Sequence, residues 1–384
     1  MKRLRIGVVY GGRSGEHEVS LASAASVVAH LDPARYEVVP IRIEKSGRWT
    51  LADRPPASSS AADAIEQARH DAGRSARVTR EVHVVARPGD ETLLAVHRPA
   101  SGDEHHTIAT AMGLDVFFPV LHGPYGEDGT VQGLFELANV PYVGAGVLAS
   151  AAGMDKAVAK VLFAARGLRV ADHLVISHRD LADGPDEVVR RVEDRFAYPV
   201  FVKPANLGSS VGISKARDRA GLEASLALAA EFDRKLVVEM AVPHAREIEC
   251  AVLGNDWPEA SVPGEIVPSR EFYDYEAKYL DEGSALFVPA RLDEATVAEV
   301  RRVSIEAFRA VDGAGMARVD FLLDAASNTL YLNEVNTIPG FTTISMYPKL
   351  WNASGLGYPA LLDRLVALAL ERHAEKQRLR TSYV

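Results

Sequence analysis

Two short runs near the end of the chain, Arg318-Val319-Asp320-Phe321-Leu322-Leu323 and Leu330-Tyr331-Leu332-Asn333-Glu334-Val335-Asn336, constrain the fold more than any other feature. Each reads as a β-strand, in which residues two apart share a face. Arg318 therefore lies with Asp320, and Glu334 with Asn336. The link from Asp324 to Thr329 is short and polar, which suits a hairpin turn. Pairing the strands gathers an Asp, a Glu and an Asn oxygen on one face, with Arg318 at its rim. Hard oxygen ligands in that number, short of a full cage, suit Mg²⁺ or Mn²⁺ completed by water and phosphate oxygens. The plain alternative is a solvated hairpin with its polar face outward. Against it, Asn336-Thr337-Ile338-Pro339-Gly340 ends the second strand in a tight, backbone-exposing loop.

With 384 residues the chain is too long for one core and suggests two or three domains. A net charge of −9 argues against a nucleic-acid or anionic-membrane partner, while leaving room for a local basic pocket. One cysteine, Cys250, excludes an internal disulfide framework and fits a reducing cytoplasm. It sits in a strand-like run, so a buried, inert thiol is expected. The opening MKRLRIGVVYGG has too short an apolar run for a signal peptide and reads as a first strand. No apolar stretch approaches the ~20 residues of a membrane span.

Residues 1–45 read strand, Gly-rich turn, Ala/Ser-rich helix, strand, the βαβ opening of a parallel sheet. Residues 53–80 read as a surface insertion, and the alternation around Pro88-Gly89-Asp90 as a hairpin. Val116 to Val120 is a continuous apolar strand of the buried parallel kind. A helix follows over Thr130 to Ala138, and Val140 to Gly144 closes a first unit near residue 145. A second unit starts at Asp155-Lys156, and a third from about residue 225 holds the Cys250 strand and the hairpin.

Gly208-Ser209-Ser210-Val211-Gly212 lies between two strand candidates, so it is no Walker loop. A Gly/Ser loop on a hairpin still donates backbone N–H groups to phosphate oxygens. Lys203 sits between Val202 and Pro204 in an apolar strand, where a point charge for phosphate is better placed than on a surface. Together with a separate metal hairpin, this loop makes an ATP site. The N-terminal Gly11-Gly12-Arg13-Ser14-Gly15 fails the spacing of a dinucleotide fingerprint. Its turn instead presents Glu16, His17 and Glu18 at a helix start, where acids also simply suit the helix dipole. His122 to Gly129 follows another strand's carboxyl end, the edge at which doubly wound sheets bind ligands.

These pieces, in this order, resemble the D-alanine–D-alanine ligases of the ATP-grasp superfamily from about residue 5 to 365. The resemblance rests on HGPYGEDGTVQG at 122–133, MDK at 154–156, VKPANLGSSVGISK at 202–215, EFYDYEAKYL at 271–280, and ARVDF with LNEVNTIPG across 317–340. It is weakest over about 46–110, where nothing is carried over. It implies an α/β, three-domain ATP-grasp architecture: an N-terminal doubly wound parallel-sheet domain at 1–145, a central subdomain at 146–224 and a C-terminal domain at 225–384. It implies ligation of two D-alanine molecules through a D-alanyl phosphate, giving D-alanyl-D-alanine, ADP and phosphate for peptidoglycan precursors. A D-alanine–D-lactate or D-alanine–D-serine ligase is the alternative.

The resemblance also assigns roles. Lys156 and Lys203 hold ATP phosphates under a lid of Gly208, Ser209, Ser210 and Val211. Glu239 faces the adenine, Glu247 the ribose, and Asn333 with Glu334 completes the nucleotide site. Asp320, Glu334 and Asn336 bind two Mg²⁺ or Mn²⁺, and K⁺ is a candidate activator. Glu16, with His122 beside it, takes the ammonium of the first D-alanine. Lys278 and Ser345 hold the second carboxylate, while Arg318 and the N–H of Gly340 stabilise the oxyanion. Ser209, Tyr279 and Glu16 form a hydrogen-bonded chain that closes the 264–283 loop and keeps water from the acyl phosphate. A cytoplasmic homodimer without nucleic-acid or membrane partners is expected.

Tyr279 is the residue in the 271–280 stretch that matches the dipeptide-forming branch. Tyr279→Phe is therefore expected to let D-lactate compete with D-alanine as acceptor, read from products across pH 6 to 9. A variant that makes dipeptide alone would reduce Tyr279 to a packing residue.

Overall fold

The computed structural model describes residues 2–56, 58, 60, 62–64, 80–89, 92–97, 108–268 and 285–380. β1 (Leu4–Gly11), α1 (His17–His30) and β2 (Tyr36–Ile43) form the expected opening, with β1 and β2 parallel from Leu4↔Tyr36 to Gly11↔Ile43. The chain then turns back on itself. β3 (Trp49–Leu51), β4 (Arg80–Val84), β5 (Leu93–His97) and β6 (Ile108–Met112) follow as antiparallel neighbours. β7 (Val116–Val120) returns to pair parallel with β1 on its other side. The seven-stranded sheet runs β6-β5-β4-β3-β2-β1-β7, so its parallel part is the trio β2-β1-β7. The stretch 46–110, where the family resemblance fades, thus supplies the strands that widen this sheet.

All five residues of β7 are buried because helices cover both faces. Phe118 and Val120 join the cluster beneath α1. Phe117 points the other way and stacks on Phe135 of α2 (Thr130–Ala138), with ring centroids 4.6 Å apart. α1 can lie close to the sheet because its inner face is small: Ser20, Ala22, Ser23, Ala24, Ala25 and Ser26 are all buried. Ser20 secures the contact, accepting from Gly11 N at 2.7 Å and donating to the carbonyl of Val120.

α3 (Val147–Met154) and α4 (Lys156–Ala165) carry the chain onward. Asp155 caps α4 by accepting from Ala157 and Val158 N–H, each at 3.1 Å. β8 (His173–Ser177), α5 (His178–Asp183), α6 (Pro185–Arg195), β9 (Val200–Pro204), β10 (Ser214–Ala216), α7 (Arg219–Ala230) and β11 (Lys235–Met240) follow. Their strands make an antiparallel sheet in the order β10-β9-β11-β8. The division expected at 224/225 falls inside α7, and β11 pairs with β8 and β9. The central sheet therefore takes in residues up to Met240, because the strand after α7 completes its core with Leu236 and Val238.

The last sheet contains β12 (Ala245–Gly254), β13 (Glu259–Ala260), β14 (Gly264–Val267), β15 (Ala285–Phe287), β16 (Gly315–Asp324) and β17 (Thr329–Asn336), ordered β15-β14-β12-β16-β17 with β13 on β12. α8 (Glu294–Ala310) covers one face, packing Val300, Ala307 and Phe308 with Phe163 of α4. α9 (Met346–Ala353) and α10 (Tyr358–Gln377) join this sheet to the first. Their Tyr347, Leu361 and Leu365 share one core with Val8, Phe118 and Phe341. Cys250 is buried in the sheet, as expected, and burial pushes its thiol up. Among the described residues no single helix is long and apolar enough to cross a membrane.

Candidate active site

The hairpin expected at 318–336 is β16–β17. Asp320 stands directly opposite Glu334, and Arg318 opposite Asn336. On the other side of β16, β12 places Glu249 opposite Asp320, with Glu247 two residues along on the same face. Arg318 grips Asp320 with both ends of its guanidinium, Nε to Oδ1 at 2.7 Å and an Nη to Oδ2 at 2.6 Å. Its Nε also lies 3.1 Å from Glu249. Burial opposes the charge on Arg318, but Asp320 and Glu249 outweigh it and hold the group protonated far above its ordinary value. Asn336 Nδ2 donates to Asp320 Oδ2 at 2.9 Å.

Lys156, at the start of α4, reaches this face: its Nζ is 3.6 Å from Glu334 and donates to the Leu207 carbonyl at 2.6 Å. Lys203 comes from the central sheet and donates to Glu239 at 2.8 Å and to Asn333 Oδ1 at 3.3 Å. Glu239, expected to face an adenine, lies between two lysines, with Lys160 Nζ at 3.1 Å from its other oxygen. Glu239 and Lys160 are only 2% and 1% exposed. Burial alone would raise the Glu239 carboxyl; the two ammonium groups overturn that and bring it to about 2. Burial also lowers Lys160, against the pull of Glu239.

The Gly/Ser loop does join two strands, β9 and β10, as a hairpin. Ser209, Ser210 and Gly212 all have positive φ, at 48°, 59° and 71°. Such runs turn successive backbone N–H groups toward one side. Gly208 lies close to Glu16, and a Cβ there would stand 2.9 Å from its carboxylate oxygen. Ser209 Oγ donates to the other oxygen of Glu16, tying the central sheet to the N-terminal turn. Glu16 begins α1 but makes no capping hydrogen bond there, so its carboxylate faces the loop and not the helix.

His122 is buried and fully engaged within the protein. Nδ1 lies 3.2 Å from the Ile338 carbonyl, which can only accept, so Nδ1 carries the proton. Nε2 then accepts from Ser23 Oγ at 3.0 Å. Burial pulls the imidazole down to about 4, so it is neutral near pH 7. Glu127, in the same loop, accepts from Gly123 N at 2.7 Å and from Ile338 N at 3.3 Å. Burial and the neighbouring Glu16 push its carboxyl up. Gly340 lies against Ser345, where a Cβ would meet Oγ at 2.7 Å. Ser345 Oγ accepts from Thr342 N at 2.9 Å. Lys278 and Tyr279 lie outside the described residues.

Lys156, Lys203 and the 318–336 hairpin, all singled out in the sequence, line this one face, whereas Lys160, Glu249, Glu127 and Ser23 were not singled out. Lys160 is four residues beyond Lys156 on one helix face, a spacing that could have revealed it. Glu249 repeats on β12 the two-residue alternation that singled out Arg318 and Asp320.

Comparison with known proteins agrees with this geometry. The model described as "D-ala D-ala ligase N-terminus" matches residues 5–145, and "D-ala D-ala ligase C-terminus" matches 162–367. The chain is 51% identical over 378 residues to the D-alanine–D-alanine ligase of Heliobacterium modesticaldum, covering 98% of each. It is 46% identical to that of Acetivibrio thermocellus, covering 96% of each. Among solved structures, the D-alanine–D-alanine ligase from Coxiella burnetii superposes with a TM-score of 0.80 at 37% identity, covering 98% of this chain and 97% of that one. The VanG D-Ala:D-Ser ligase from Enterococcus faecalis superposes at 0.79 with 32% identity, covering 96% of this chain and 100% of that one.

The neutrality of His122 has a measurable consequence. Its folded value, about 4, is below the ordinary 6.5, so between those limits the unfolded chain binds more protons. Stability is thus expected to fall as pH is lowered through that window, by up to about 3 kcal/mol from this group. Denaturant unfolding at pH 7 and pH 5 should show the loss, and His122→Gln should flatten it. An unchanged slope in the variant would assign the loss to other groups. With both family models matched in order and relatives about half identical along nearly the whole length, the chain belongs to the D-alanine–D-alanine ligase family.

Proposed function

We propose that the chain joins two D-alanine molecules, using ATP to activate the carboxylate of the first. The observation that carries this reading is the convergence of the three sheets on one cleft. The N-terminal turn brings Glu16, the central sheet brings Lys203 and the Gly/Ser loop, and the last sheet brings Arg318, Asp320, Glu334 and Asn336. The high identity to D-alanine–D-alanine ligases favours D-alanine as acceptor over the D-serine named for the more distant VanG.

Lys156, held by the Leu207 carbonyl, and Lys203, held by Glu239, supply fixed positive charge for the ATP phosphates. Lys160 works through Glu239: the shared carboxylate fixes both ammonium groups and prevents their repulsion from spreading them. The loop at 208–211 covers the phosphates. Glu247, on the same face as Glu249 and Asp320, lies with the nucleotide.

Asp320, Glu334 and Asn336 fit hard divalent cations, because the set is all oxygen, the two carboxylates are in register and the site is half-buried. Asp320, Glu334 and Asn336 would hold two Mg²⁺ or Mn²⁺, which when bound would supply positive charge against the phosphates.

Glu16 takes the ammonium of the first D-alanine, and its bond to Ser209 links that event to the loop over the phosphates. The substrate carboxylate oxygen attacks the γ-phosphorus, the bond to ADP breaks, and D-alanyl phosphate results. The amine of the second D-alanine then attacks the carbonyl carbon, phosphate leaves, and the amine loses a proton. Arg318 and the Gly340 N–H face the oxyanion that forms in between. Ser345, beside Gly340, and Lys278 hold the second carboxylate, and Tyr279 closes the loop above.

Two substitutions separate the parts. Asp320→Ala is expected to fold, and to lose nearly all turnover even at saturating Mg²⁺. Glu16→Gln is expected to raise the KM for the first D-alanine far more than it weakens ATP binding measured by titration. Wild-type turnover in the first variant, or equal loss of both ligands in the second, would contradict the assignment.

A further inference from the structure

The loop that carries Gly340 is gripped on both sides by side chains of other elements. Ile338 and Phe341 flank the Pro339-Gly340 pair, and every peptide group of those two flanking residues meets a side chain. The Ile338 N–H donates to Glu127 at 3.3 Å, and its carbonyl accepts from His122 at 3.2 Å. The Phe341 N–H donates to Ser23 Oγ at 3.2 Å, and its carbonyl accepts from Tyr358 at 2.8 Å. Ser23 also donates to His122, which joins two of the grips, and Ser26 lies 3.1 Å from the Tyr358 hydroxyl. Ser23 and Ser26 are three apart on one face of α1.

We infer that Ser23 and Glu127 are positioning residues, holding the 338–341 segment so that the Gly340 N–H is aimed before the oxyanion forms. A donor lowers a barrier only if it needs no reorientation as charge develops. The 337–345 link between β17 and α9 has no ladder of its own to fix it. Side-chain hydrogen bonds at both flanks provide that fixation, and those from His122, Glu127 and Ser23 come from the unit that also carries Glu16. First-substrate site and oxyanion donor are thereby set at one distance from each other. Gly340 itself packs beside Ser345, where a Cβ would stand 2.7 Å from Oγ.

This inference rests on the ligase reading above, and its test keeps the two apart. Ser23→Ala, Ser23→Thr, Glu127→Gln and the double variant Ser23→Ala with Glu127→Gln would be compared with wild type. Readouts are kcat, the KM for each D-alanine, the dissociation constant of a non-hydrolysable ATP analogue, and hydrogen exchange of the peptide covering 336–342. Ser23→Ala and Glu127→Gln should each lower kcat by roughly tenfold to a hundredfold, with nucleotide affinity within about twofold. Exchange at 338–341 should rise. Ser23→Thr, which keeps the hydroxyl, should restore most of kcat. The double variant should lose less than the product of the singles, because both act on one segment. A kcat within twofold of wild type, a parallel loss of nucleotide affinity, or multiplicative losses would overturn the proposal. If wild-type protein failed to join D-alanine, the ligase reading would fall; unchanged exchange at 338–341 in both single variants would sink the clamp on its own.

Discussion

The burial of opposite charges between the central and last sheets is the constraint on which the site depends. Lys160, Glu239 and Lys203 form one chain, and Glu249, Arg318 and Asp320 form another. An unpaired charge in such a place costs several kcal/mol, so each group is tolerable only with its partner. That requirement fixes side chains that would otherwise be flexible. Lysines held by a carboxylate present their charge at a set point, and an arginine held bidentately keeps its plane. A polyanionic nucleotide entering this cleft meets charges already in position, without the cost of gathering them.

The second constraint is distance between units. Glu16 belongs to a turn after β1, Ser209 to a hairpin loop of the central sheet, and their hydrogen bond spans the mouth of the cleft. Gly208 and Gly123 both lie against the Glu16 carboxylate, where a Cβ would come within 2.9 and 2.7 Å of its oxygen. The carboxylate is therefore enclosed by backbone that can approach only because side chains are missing. Such enclosure keeps water from the cleft and sets Glu16 beside the Gly/Ser loop.

What the sequence revealed follows from how strictly each element repeats. The period of two in a strand is rigid, so alternation alone places Asp320, Glu334 and Asn336 on one face. The first βαβ unit and the Gly/Ser hairpin were legible for similar reasons. Partners chosen by tertiary packing were not: which acid lies between Lys160 and Lys203 depends on how α4 meets β11. Glu127 stood within a motif already singled out, yet its reach to Ile338 requires two loops far apart in the chain to meet. The Ala/Ser composition of α1 was visible, whereas the separate duties of Ser20, Ser23 and Ser26 were not. The boundary expected at 224/225 falls inside α7, before a strand of the central sheet, because sheet order is not written in local periodicity.

The central claim is that D-alanine's own carboxylate becomes the phosphoryl acceptor. The most direct measurement uses D-alanine carrying heavy oxygen in both carboxylate positions, with unlabelled ATP and water, followed by mass analysis of the released phosphate. Transfer through D-alanyl phosphate predicts that each phosphate released with dipeptide carries a labelled oxygen. Unlabelled phosphate, formed at the same rate as dipeptide, would contradict the account.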